Sequence, residues 1–160
     1  MRFLCAYVTV LLFCGYGLPA QSQDKPAPAI PLFDSTRDAA LDIETAIAEA
    51  QRSKKRIILE VGGDWCAYCQ ELDKVFQHHA SLLRFRDTNF IVVNVYYSPD
   101  NKNQQALSRY SKVLGIPHFF VLESDGTLLH SQHVLELKAE GSYSPDKIRE
   151  FLVKWSKPER

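Results

Sequence analysis

A strand-like segment that stops at two glycines and is followed at once by a pair of cysteines constrains this chain most. Residues 57–61 are apolar and mostly β-branched, except for Glu60, and predict a strand buried on both faces. Cys66 and Cys69 come after the glycines, and apolar residues then recur at helical spacing from Leu72 onward. The sequence thus places both cysteines in the first turn of a helix that leaves a buried strand.

The position of the pair at a helix start favours ionisation of the first sulfur. Unpaired amides and the helix dipole favour a negative sulfur there, and the thiolate is the species that attacks disulfides. Cys69 lies on the same helical face as Cys66, so the two sulfurs can form a bridge. We therefore predict Cys66 as an exposed nucleophile and Cys69 as a more sheltered resolving cysteine.

The first 22 residues predict a secretory signal peptide, because a basic start, a short apolar core and an exit of small residues follow one another. We expect cleavage after Ser22. Cleavage after Ala20, an uncleaved membrane anchor and lipidation of Cys14 are the alternatives. The protein is therefore expected to be exported, either to the periplasm or out of the cell.

Removal of that segment would leave Cys66 and Cys69 as the only cysteines of the mature chain. A bridge between them would close a very small loop, which removes little entropy from the unfolded chain. Stabilisation is thus a poor reason for the pair in an exported protein, and redox chemistry is a better one.

The length and the charge balance of the chain limit what else it can be. With 160 residues it can form one domain with a real core, which we place at residues 34–157, after a Pro- and Ala-rich tether at residues 23–33. Acidic and basic residues number 19 each, so the totals indicate no basic surface for nucleic acid. We expect a monomer.

Apolar periodicity along the rest of the domain predicts alternating helices and strands. The predicted order is helix, strand, helix, strand, helix, strand, strand, helix, which implies an α/β fold with a mixed central sheet flanked by helices. Asp34 or Ser35 is expected to cap the first helix, and Gly115 to end the third in a left-handed conformation. A turn at residues 124–126 should join the last two strands, and Ser144 should cap the last helix.

Metal sites also use paired cysteines, but the sequence offers few further ligands. Zinc needs about four ligands, and the mature chain has no second cysteine pair. His130 and His133 are three residues apart on a predicted strand, so they point to opposite faces. We expect no metal and no cofactor, and keep copper(I) transfer as an alternative.

Two motifs give the chain its resemblance to the thioredoxin superfamily. Trp65 stands directly before the first cysteine, and Gly115-Ile116-Pro117 precedes a predicted strand later in the chain. The resemblance covers nearly the whole mature domain and includes exported thiol:disulfide interchange proteins. It implies a cis peptide bond at Pro117, a backbone contact from Ile116 to an extended substrate segment, and a hydrophobic cover from Trp65.

The same resemblance gives a role to a carboxylate. Family members keep a buried carboxylate six residues before the first cysteine, and Glu60 holds that position here. Burial raises the pKa of a carboxyl, which suits Glu60 to accept and return the proton of Cys69. The alternative is that Glu60 reaches solvent at the strand end. His118 is interpreted as a surface or strand histidine, with adjustment of the Cys66 thiolate as the second interpretation.

Together these residues predict a thiol:disulfide oxidoreductase whose partners are client proteins with cysteines or disulfides. Ala67 and Tyr68, between the cysteines, include no cation, which favours a moderate or reducing potential. We therefore favour a protein-disulfide reductase or interchange enzyme, supplied with electrons by a membrane donor, over a dedicated oxidant. The alternative from another class is a non-catalytic thioredoxin-fold binding module, either a copper carrier or a chaperone.

Overall fold

Apolar strands from both halves of the chain form one four-stranded sheet in the computed structural model, which describes residues 31–158. The predicted signal peptide and residues 23–30 of the predicted tether lie outside the described residues. Within 31–158, no helix has both the length and the apolar character needed to cross a membrane.

The sheet is mixed, as the element order predicted. Its strands lie in the order β2-β1-β3-β4, with β1 parallel to β2 and antiparallel to β3, and with β4 antiparallel to β3. They are β1 (Arg56–Gly62), β2 (Phe90–Tyr96), β3 (His118–Leu122) and β4 (Leu128–His133). The predicted turn between the last two is confirmed: Gly126 has φ +88°, a conformation that glycine adopts at no steric cost.

Helices cover both faces of this sheet and enclose two apolar cores. They are α1 (Ala39–Ser53), α2 (Ala67–His78), α3 (Ala80–Asn89), α4 (Gln104–Leu107) and α5 (Pro145–Trp155). The core under α1 and α4 takes alternate residues of β1, including Leu59 and Val61. The intervening residues Ile58 and Glu60 point to the other face, where α2, α3 and α5 pack.

The first helix begins later than predicted. Its N-cap is Asp38, whose Oδ1 accepts the amides of Ala40 and Leu41 at 2.9 and 3.2 Å. The prediction of Asp34 or Ser35 is wrong because Asp34 forms its own local turn with Thr36 instead, accepting the backbone amide at 2.9 Å.

The third predicted helix is much shorter than expected. It forms only as α4, and the chain then runs without a helix to β3. Gly115 is not a left-handed helix cap; the described glycines with positive φ are Gly126 and Gly141. Position 115 favours glycine for a different reason: a Cβ there would overlap the ring of His133.

The predicted second helix is in fact two helices, α2 and α3. Between them His79 has φ −119° and ψ 76°, which is not helical. The Nδ1 atoms of His78 and His79 lie 2.7 and 2.8 Å from the carbonyl oxygens of Lys74 and Val75. These imidazoles thus bond to carbonyls of the last two turns of α2, which ends without Gly or Pro.

The C-terminal helix is fastened to the first residue of β1. Arg56 Nη1 donates to the carbonyls of Trp155 and Ser156 at 2.9 and 3.3 Å, and Arg56 Nε donates to Glu123 at 3.2 Å. Lys157 Nζ pairs with the same carboxylate at 2.8 Å. The end of α5 therefore lies beside the beginning of β1.

A small hairpin that the sequence analysis did not predict lies between β4 and α5. After a short 3-10 turn at Val134–Leu137, strand β5 (Lys138–Ala139) pairs antiparallel with β6 (Ser142–Tyr143). Gly141, with φ +85°, makes the tight reversal. The hairpin packs against α2, the helix that carries the cysteines.

Candidate active site

Cys66 is the N-cap of α2, and its sulfur accepts a backbone amide of the first turn, as a side-chain oxygen does in most helix caps. The chain leaves β1 at Gly62, and Cys66 Sγ accepts the backbone amide of Cys69 at 3.2 Å. The carbonyl of Cys66 accepts the amides of Cys69 and Gln70 at 3.1 Å each. No acidic residue occupies the first turn of α2, so the positive end of the helix dipole is not neutralised there. This environment favours a negative sulfur.

Cys66 is less accessible than predicted. Only 4% of its surface is exposed, so the expectation of an exposed nucleophile is wrong in this structure. The cause is a small apolar cluster in which Phe33 is buried together with both cysteines, and against which Tyr96 and Ile116 pack. Cys66 and Cys69 are both free thiols here.

Cys69 is the more deeply buried of the two thiols, with no exposed surface. Burial is the main cause that raises the pKa of the Cys69 thiol, and the hydrogen bond with Cys66 raises that pKa further. Cys69 therefore stays protonated until a base takes its proton.

Glu60 lies on β1 beneath α2 and is 4% exposed. Burial raises the pKa of Glu60 to about 7, while the positive charge of Arg86 lowers it and the negative charge of Asp73 raises it. The carboxyl lines a cavity of about 390 Å³ that both of these charged residues border. The negative charge of Glu60 also raises the pKa of Cys69, so the two groups influence each other's ionisation.

The loop before β3 comes close to the cysteines. The peptide bond between Ile116 and Pro117 is cis, as the resemblance implies. Ile116 is half-buried against the cluster of Phe33, Cys66 and Cys69. The structure therefore brings the two sequence motifs together at one site.

Trp65 is largely exposed next to the pair, with 56% of its surface open to solvent. Its Nε1 donates to the carbonyl of Tyr97 at 3.0 Å, which fixes the indole across the loop. A Cβ on Gly63 would overlap the indole, so the glycine permits this close approach. The exposed ring is thus held in one place beside Cys66 rather than left free.

His118 is buried and does not touch the sulfurs. It pairs in register with Val61 and so lies on the sheet face opposite Glu60. Its Nε2 lies 2.8 Å from Ser131 Oγ, and burial is the main cause that lowers the pKa of His118 to about 4. It is a strand histidine, and not a surface one.

The structure adds a cation that the sequence analysis did not place. Lys138 Nζ lies 4.5 Å from the centroid of the Tyr68 ring and 4.9 Å from that of Tyr143. It also pairs with Glu71 at 2.8 Å, and the other oxygen of that carboxylate accepts the Tyr143 amide at 3.2 Å. The hairpin is thereby fastened to α2. Sequence spacing gave no signal, because these contacts join residues far apart in the chain.

Comparison with known proteins agrees with this geometry. The sequence model described as thioredoxin-like matches residues 38–124, which is more than half of the chain. The chain belongs to the thioredoxin-like family. The match includes β1, both cysteines, the cis proline and β3.

Relatives of this thioredoxin-like protein are named for thiol–disulfide chemistry. The thiol:disulfide interchange protein DsbD of Vibrio cholerae is 26% identical over 115 residues, which are 71% of this chain but only 19% of that protein. The chain thus spans about a fifth of the length of this curated relative.

Two solved structures share the fold. The disulphide isomerase from Xylella fastidiosa Temecula1 has a TM-score of 0.70 and 26% identity, with 79% of this chain and 98% of that chain covered. The DsbD C-terminal domain of Neisseria meningitidis, solved in the oxidised form, has a TM-score of 0.52 and 23% identity, with 74% and 96% covered.

Proposed function

We propose that this protein is a thiol:disulfide oxidoreductase that reduces or exchanges disulfides of exported client proteins through Cys66 and Cys69. The observation that carries the proposal is the Cys66 sulfur at the start of α2, 3.2 Å from the Cys69 amide, with a second thiol in the same turn. The names of the relatives, interchange protein and disulphide isomerase, support the same chemistry.

The reaction proceeds by two exchanges of sulfur–sulfur bonds. The Cys66 thiolate attacks one sulfur of a client disulfide, a Cys66–client bond forms, and the other client sulfur leaves as a thiolate. Cys69 then loses its proton and attacks the Cys66 sulfur, which forms the Cys66–Cys69 bond and releases the second client thiolate. The client gains two electrons and the enzyme pair loses them. The reverse sequence oxidises a client dithiol.

Glu60 serves as the proton acceptor for Cys69 in this scheme. Its pKa of about 7 allows it to take a proton and return it near neutral pH. The exposed indole of Trp65 and the backbone of Ile116 contact the client chain beside the sulfurs. A membrane partner supplies electrons to the oxidised pair, and the predicted signal peptide takes the protein, as a monomer, to the periplasm or out of the cell.

Substitution of each cysteine tests the proposal. In an insulin-reduction assay with dithiothreitol, Cys66→Ser should lower turnover to the uncatalysed rate, whereas Cys69→Ser should accumulate a mixed disulfide with clients, visible by mass spectrometry. The assay uses the full-length chain, in which Cys5→Ser and Cys14→Ser are the matched controls and should keep wild-type turnover. Wild-type turnover in Cys66→Ser would overturn the proposed function.

A further inference from the structure

Phe33 contacts the redox pair directly, although it lies far from it in sequence. Its side chain is only 2% exposed and forms one cluster with Cys66 and Cys69. Both the Phe33 ring and the Cys69 sulfur press against Gly62: a Cβ added there would lie 2.6 Å from the ring and 2.8 Å from the sulfur. The absence of a side chain at Gly62 is what lets ring and thiol share this space.

The segment that carries Phe33 is tied down on two sides. The Phe33 amide donates to Asp64 Oδ1 at 3.2 Å, in the loop that leads to Cys66. The carbonyl of Leu32 accepts Asn94 Nδ2 at 2.9 Å, on strand β2. Both bonds belong to the one peptide group that joins Leu32 to Phe33, so they fix the backbone just before the ring's attachment and hold the ring over Cys69. The final residues of the predicted tether are therefore part of the folded domain.

A cavity lies beside this ring. It has a volume of about 180 Å³, and Phe33 and Cys69 are both among its lining residues. Its other walls include the polar side chains of Gln70, Asp73, Lys74 and Gln77. Cys69 has no exposed surface with the ring in place, and loss of the ring would enlarge this cavity beside Cys69 and give solvent access to the thiol.

We propose that Phe33 is a specificity-determining residue of the dithiol: its ring seals the inner side of the pair, so that Cys69 reacts with the Cys66 sulfur and is withheld from small disulfides in solution. This inference rests on the proposed function. Burial, to which the ring contributes, is also the largest cause of the raised pKa of Cys69.

The side reaction that the ring prevents is an ordinary thiol–disulfide exchange. A Cys69 thiolate open to solvent would attack one sulfur of oxidised glutathione, form a Cys69–glutathione disulfide and release one glutathione thiolate. That product leaves Cys66 without its resolving partner, so a client bound to Cys66 would remain attached. Shielding of Cys69 therefore directs the second step toward release of the client.

The test measures how fast Cys69 reacts with oxidised glutathione when Cys66 cannot compete. In full-length Cys66→Ser protein, mass spectrometry of proteolytic peptides separates Cys69 from Cys5 and Cys14. Adding Phe33→Ala should speed glutathione addition to Cys69 by about tenfold or more, and Phe33→Leu should have a smaller effect because it refills part of the space. An unchanged rate in Phe33→Ala would overturn the proposal.

One control variant separates shielding from loss of stability. Phe151→Ala removes a ring of similar size from the core between the sheet and α5, and it should leave the Cys69 rate near the Cys66→Ser value. Equal acceleration by Phe33→Ala and Phe151→Ala would mean that Cys69 reacts through global opening, and the proposal would fail.

A second pair of variants applies if Phe33→Ala does not fold. Asp64→Ala removes the acceptor of the Phe33 amide and should accelerate the reaction, whereas Asp64→Asn keeps an oxygen acceptor and should not. Acceleration by neither would count against the proposal. These rates require no turnover, so they are independent of the insulin assay that tests the proposed function.

Discussion

Among the described residues, each face of the sheet buries one acidic or basic side chain, and these two lie next to each other in register but point in opposite directions. Glu60 faces α2 and the cysteines, whereas His118, whose register partner is Val61, faces the core under α1 and α4. Burial drives both toward the neutral form, which raises the pKa of Glu60 to about 7 and lowers that of His118 to about 4.

The difference between the faces lies in what else is buried there. His118 has a hydroxyl partner in Ser131 and stays neutral throughout the range near pH 7. Glu60 lines a cavity with charged neighbours and changes its charge within that range. The same desolvation thus keeps the charge of His118 constant near pH 7 on one face, and makes Glu60 suited to proton transfer on the other.

The largest expected effect is the pH dependence that Glu60 gives to the free energy of unfolding. The folded protein holds the Glu60 proton up to about pH 7 and the unfolded chain only to about 4.5, so Glu60 favours folding at low pH and loses this contribution as pH rises from 4.5 through 7. The loss is about 3 kcal/mol. Urea unfolding of the reduced protein between pH 5 and 8 should show it, and Glu60→Gln should remove that slope. An unchanged slope in Glu60→Gln would show that Glu60 titrates normally.

His118 should give the unfolding free energy the opposite dependence on pH, and this effect should be smaller. The unfolded chain takes up the His118 proton at about pH 6.5 and the folded protein only near 4, so the contribution of His118 is present above 6.5 and is lost as pH falls toward 4. About 2 kcal/mol of this loss falls between pH 6.5 and 4.5, because the pKa of about 4 in the folded protein lies below that range. His118→Leu should flatten unfolding free energies between pH 6.5 and 4.5, whatever its effect on absolute stability; a slope equal to wild type would contradict this.

The smallest expected effect is on turnover, and it distinguishes the role of Glu60 from that of His118. Glu60→Gln should slow insulin reduction at pH 7 by about tenfold, less than the roughly hundredfold typical of general acid–base catalysis, because Cys69 loses its proton acceptor but water can still take the proton. His118→Leu should keep turnover within about twofold of wild type, since His118 does not touch the sulfurs. Equal turnover in wild type and Glu60→Gln would assign Glu60 a scaffold role only.

Local patterns in the sequence were enough to predict the cysteine helix, the buried strand with Glu60, and the hairpin turn at Gly126. Each depends on residues that are neighbours in the chain. The motif with Pro117 identified the second half of the site, because its position relative to the cysteines is a property of the family.

Features that depend on distant contacts could not be predicted in this way. Phe33 is a single aromatic residue outside any periodic element, so nothing in the sequence links it to Cys69. The contact of Lys138 with Tyr68 depends on a hairpin of two-residue strands, which is too short to give a pattern. Likewise, the break between α2 and α3 falls at His79, where neither Gly nor Pro marks a helix end.

The fastening of α5 to Arg56 has a practical consequence for handling the protein. Arg56 begins β1 and Cys66 follows its end, and a strand of seven residues is about 20 Å long. A dye, a bead or a fused protein attached after Lys157 therefore leaves from the end of β1 that is remote from the dithiol. Molecules immobilised through that position would turn the end of the domain that carries Trp65 and Cys66 toward the solution.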